Sequence, residues 1–97
     1  MGITYDNKVR ITKVFNEFYH YAKIDPCHYL FLEDLKLLRD IFAIMINDGV
    51  KIAEKWVQIL NAVEISYNSW KNYCVPNKAI IEKLRTQLKK NGIQKIK

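Results

Sequence analysis

Apolar residues recur at helical spacing along almost the whole chain. Ile11, Val14, Phe15, Phe18 and Ala22 fall at i, i+3, i+4, i+7 and i+11, one stripe of a first helix. Thr4 is placed to cap that helix, with Asp6 in its first turn against the positive end of the dipole. Asp25-Pro26 predicts a restart, Asp25 as N-cap and Pro26 at the first helical position. A second helix is expected from Pro26 to about Asn47, roughly 33 Å long. Its stripe of Phe31, Leu35, Leu38, Phe42 and Met45 is widened by Leu30, Leu37, Ile41 and Ile44, which predicts a central, deeply buried helix. Gly49 is a fitting left-handed stop.

Beyond Gly49 the pattern predicts a helix over about Val50 to Val63, with Ala53, Trp56, Val57 and Leu60 on one face. Ser66 is expected to open a short helix that Pro76 ends, and Asn77 to cap another in which Ile80, Ile81, Leu84 and Leu88 face inward. Gly92 stops that helix before a basic tail, 93–97. The expected fold is all-α, a compact bundle of about five helices in one domain. Residues 1–48 supply two long helices, available for homodimerisation, and residues 50–92 carry a helix-turn-helix.

Charge sharpens this picture. Residues 1–70 hold 8 Lys or Arg against 9 Asp or Glu, whereas residues 71–97 hold 8 against Glu82 alone. The formal excess of +6 therefore resides in the C-terminal segment, which points to a polyanionic partner. The window Ser66 to Cys74 contains no acid, and Ser66, Asn68, Ser69, Lys71 and Asn72 are expected to face outward while Tyr67, Trp70 and Cys74 anchor the helix. A surface that lies along phosphates has no use for carboxylates. Lys71, Lys78, Lys83, Arg85, Lys89, Lys90, Lys95 and Lys97 offer cations to phosphate. Contact by about half of them would give a log–log salt slope of roughly −3 to −4. Asn68 or Asn72 has the amide geometry to read adenine N6 and N7.

Residues Ile65 to Tyr73, followed by Val75-Pro76-Asn77 and the helix Ile80 to Leu88, resemble the repressor and Cro-like helix-turn-helix proteins. The likeness spans residues 53–92 and does not extend to 1–48; Val63-Glu64 stand where that family usually has glycine in the turn. It implies a DNA-binding transcriptional regulator of the phage or plasmid kind, in which Ser66, Tyr67, Asn68, Ser69 and Lys71 approach base edges in the major groove. Duplex DNA is then the expected partner. Two alternatives stand beside it. One is a helical-bundle interaction protein (a subunit, inhibitor or immunity-type factor) whose basic end docks an acidic protein, and the other is a small RNA-binding subunit of a larger complex.

Other chemistry is sparse. Two cysteines, Cys27 and Cys74, are too few for a disulfide framework, so reduced thiols and a cytoplasmic location are expected, although one bridge between them remains open. No apolar h-region or membrane-spanning stretch is evident. His20, Cys27 and His28 fit no zinc spacing, so no metal or other cofactor is expected. No phosphate loop or nucleophile elbow occurs, and Glu33, Asp34 and Asp40 are expected to be solvated or paired with Lys36 and Arg39, so no enzyme is expected. Tyr5, Tyr19, His20, Tyr21, His28 and Tyr29 form an aromatic cluster that serves either as a partner surface or as cover for the second helix.

Overall fold

The computed structural model describes residues 2–69 and 76–97, with Asn68 and Ser69 described in backbone only. Among these residues the protein is all-helical, with α1 at Tyr5–Ile24, α2 at Tyr29–Asn47, α3 at Ile52–Ser69 and α4 at Lys78–Lys90. α2 packs between α1 and α3, and α4 packs on α3. The short connections make chain neighbours into packed neighbours, as in an up-and-down bundle.

Local chemistry sets the helix limits. Asn7 N–H donates to the Thr4 hydroxyl at 3.2 Å, and Ile80 N–H donates to Asn77 Oδ1 at 3.3 Å, so both predicted caps are formed. The second cap differs. Asp25 instead closes α1, its N–H donating to Tyr21 O, and α2 starts three residues later behind His28, whose Nδ1 accepts from Leu30 N–H at 3.2 Å. The turn closed by His28 N–H on Asp25 O takes up the residues expected to begin the helix.

Gly49 and Gly92 both adopt left-handed backbone, with φ of 91° and 86°. Around each, the hydrogen bonds are those of a Schellman motif. Gly49 N–H donates to Ile46 O and Val50 N–H to Met45 O; Gly92 N–H donates to Lys89 O and Ile93 N–H to Leu88 O. Val50 and Ile93, the residues after the glycines, are both buried and lock the turns to the core. Gly49→Ala should therefore cost about 1 kcal/mol through the backbone alone, because a Cβ there meets nothing within 4 Å. Gly49→Asn should cost less. Urea midpoints of the two variants check this, and equal losses would show that the conformation is not what glycine supplies.

The core is a run of stacked and tilted rings along the bundle. Phe15 meets Phe18 at 5.9 Å, Phe18 meets Phe31 at 4.9 Å, and Phe31 meets Tyr67 at 5.3 Å between centroids. Phe42 and Trp56 form a separate edge-on pair at 5.3 Å.

Four sequence expectations are corrected. α3 continues through Val63, Glu64 and Ile65 to Ser69, so the turn expected before Ser66 is absent and two predicted helices begin as one. Tyr67 extends the Ala53, Trp56, Leu60 and Val63 stripe and is buried, which favours a continued helix over a turn. α2 is central, between α1 and α3, but its wide apolar face is not covered all round, since Leu37 and Ile44 are 48% and 49% exposed. The segment 93–97 is docked rather than a free tail, with Ile93 and Ile96 buried. Finally, Cys27 is disulfide-bonded rather than a reduced thiol; the chain's other cysteine, Cys74, lies outside the described residues.

Candidate nucleic-acid interface

α4 sorts its residues by face. Ile81, Leu84 and Leu88 are buried, Lys78, Lys83, Lys89 and Lys90 are exposed, and Arg85 is half-buried. Lys89 and Lys90 also sit in the last turn, where cations favour the dipole. Lys83 borders a groove toward α3 that it shares with Lys55 and Gln58. Lys78 lies on the other side, near Tyr19 and Lys23 of α1. The cations thus wrap the outer surface of α4 from its α1 edge to its α3 edge.

Residues 93–97 extend this face and are held by α1. Asn16 Nδ2–H donates to Lys95 O at 3.2 Å, and Lys97 N–H donates to Asn16 Oδ1 at 3.0 Å. One amide side chain thereby reads the backbone of two residues at i and i+2. Arg85 Nε–H donates to Lys97 O. Lys95 and Lys97 are in this way presented on a fixed scaffold. Asn16→Ala should cost about 1 kcal/mol through the removal of these bonds. It should also speed hydrogen exchange at the Lys97 amide, and unchanged exchange there would show that burial of Ile93 and Ile96 alone holds the segment.

Glu82, the one acid in this region of the sequence, is already engaged. It accepts from the Tyr19 hydroxyl and pairs with Arg85 at 3.6 Å. Tyr19 is flanked by Lys23, whose Nζ lies 4.4 Å from the ring centroid, and by Arg85, with Cζ at 5.6 Å. These two cations and Lys97 border a cleft of about 430 Å³ whose wall includes Tyr19, His20 and Tyr21.

The structure groups some of the expected contact residues and not others. Lys78, Lys83, Arg85, Lys89 and Lys90 share α4. Ser66 is half-buried in the last turn of α3, and Tyr67 faces the core against Phe31, a correction to its expected place at base edges. The side chains of Asn68 and Ser69, and all of Trp70, Lys71 and Asn72, lie outside the described residues.

Sequence reading missed two features. Asp34 is 3% exposed rather than solvated, between α1 and α2, and Arg39 pairs with Glu64 of α3 at 2.8 Å. Burial, and then the neighbouring Glu17 and Glu33 carboxylates, raise Asp34 to about 7. Its position three residues after Phe31 and four before Leu38 was the available signal.

Among the described residues no group of three or more His, Cys, Asp or Glu is arranged to hold a metal, and no helix is long and apolar enough to cross a membrane. No protein family, curated protein or solved structure matches the chain.

Proposed function

We propose that the chain binds nucleic acid, duplex DNA in the first place, by laying the outer face of α4 and residues 93–97 along phosphates. One observation carries this. Lys78, Lys83, Lys89, Lys90, Lys95 and Lys97 are all exposed on α4 and the segment docked after it, and Glu82, the single acid of that stretch of sequence, is tied to Tyr19 and Arg85. Such a face attracts a polyanion through counterion release without any base contact. Lysine meets phosphate as a point charge, so affinity from this face should depend little on sequence. Selective readout, and with it a role in transcription regulation, would have to come from residues such as Ser66, Asn68 and Asn72.

Fluorescence anisotropy of a labelled duplex at two salt concentrations tests the proposal. Binding should weaken with salt at a log–log slope of roughly −3 to −4. Negligible binding at both concentrations would overturn it.

A second reading, a bundle that docks an acidic protein, has specific support. Tyr5 and Val9 are exposed on α1 beside Lys8, Lys13 and Lys95, an apolar groove with a cationic rim.

A further inference from the structure

Four rings, of which Tyr21 also packs against the core, are joined at the corner between α1 and α2. His20 meets Tyr21 edge-on at 5.3 Å, Tyr21 stacks on His28 at 4.3 Å and 18°, and His28 stacks on Tyr29 at 4.8 Å and 24°. The run ends in the open, since Tyr29 is 72% exposed. It is also held in place. The His28 ring is fixed by its cap on α2, where Nδ1 accepts from Leu30 N–H, so the rings on either side of it in the run rest on a clamped member. Ring planes within 25° of parallel present the geometry that offset stacking prefers.

Charge of the complementary kind lies next to these rings. The cleft of about 430 Å³ is lined by His20 and Tyr21 together with Lys23, Arg85 and Lys97, three cations against the one carboxylate of Glu17. A clamped aromatic platform beside cations is the arrangement that binds single-stranded nucleic acid, with bases on the rings and phosphates on the cations. A paired base, stacked inside a duplex, has no face to offer the ring of Tyr29.

We propose that the His20, Tyr21, His28 and Tyr29 ladder is a stacking site for unpaired bases, with Lys23, Arg85 and Lys97 on the adjoining phosphates. The inference rests on the nucleic-acid reading and narrows it to targets that contain unpaired nucleotides next to any duplex held by α4.

The full chain is titrated with a labelled thymidine oligomer, an abasic oligomer of equal length and charge, and a duplex. Tyr29 is exposed, so its replacement leaves the fold intact. The wild type should bind the thymidine strand about tenfold more tightly than the abasic strand. Tyr29→Ala should abolish that preference, Tyr29→Phe should keep it, and duplex affinity should stay within about twofold in both. Equal binding of thymidine and abasic strands by the wild type, or a preference that survives Tyr29→Ala, overturns the stacking site. A wild type that binds duplex but neither strand also overturns it, while leaving the α4 proposal standing. Binding of none of the three overturns the nucleic-acid reading itself.

Discussion

Replacing Lys83, Lys89 and Lys90 together with alanine is expected to weaken duplex binding about a hundredfold near 0.1 M salt and to reduce the salt slope by about 3. The three are exposed on α4, and none forms an ion pair among the described residues, so they are free to meet phosphate. For each lysine removed, about one more counterion stays on the DNA when the complex forms, which is why slope and affinity fall together. The fold should survive the change. Ile81, Leu84 and Leu88 hold α4 from its other face, and the loss of two cations from its last turn costs under about 1 kcal/mol each. Lys36→Ala, on the exposed side of α2, serves as the control. A triple variant that binds like the wild type, or a Lys36→Ala loss of the same size, would remove α4 from the interface.

What the sequence made legible follows from how local each determinant is. Thr4, Asn77, Gly49 and Gly92 act on backbone groups within a few residues, and each does what its chemistry requires. The α1 stripe was readable for the same reason, since Ile11, Phe15, Phe18 and Ala22 recur at one period and are all buried. Ser66 misled because a serine after a stripe suits both an N-cap and a helix interior. Val63, Glu64 and Ile65 contain no breaker, and Tyr67 continues the stripe, so the helix simply proceeds. The central place of α2 was legible, but how far it is covered was not, because an apolar circumference does not say which neighbours exist to cover it. Leu37 and Ile44 remain half-exposed since α4 packs on α3 rather than over α2.

The candidate site divides in the same way. Its cations were visible as a charge asymmetry, because lysines at exposed positions of a terminal helix need no tertiary information to be found. The ring ladder was visible only as a cluster of residue types. Its stacking depends on the α1–α2 connection, where Asp25 closes one helix and His28 opens the next.

Stability should fall as pH rises from about 4 to 7, and Asp34→Asn should remove much of that fall. Asp34 ionises at about 7 in the folded chain against 3.8 for the free side chain, because burial and then the Glu17 and Glu33 carboxylates disfavour its charge. Below 3.8 both folded and unfolded chains hold the proton, and the stabilisation from keeping it is complete. Between 3.8 and about 7 the unfolded chain releases the proton while the folded chain retains it, so each rise in pH favours unfolding. Above 7 both forms are ionised and the contribution is gone. One group gives at most about 1.4 kcal/mol per pH unit. Glu17 is exposed, so solvent screens its part of the interaction, and a total of about 2 kcal/mol is the expected scale. Asparagine keeps the shape and donates to Glu17 without ever carrying charge. Asp34→Asn should therefore match the wild type near pH 4.5 and exceed it by about 2 kcal/mol at pH 8. Urea unfolding at pH 4.5, 6 and 8 decides the matter. Parallel pH profiles for the two proteins would mean that Asp34 is ionised in the folded state throughout, with a cation or water supplying what Glu17 cannot.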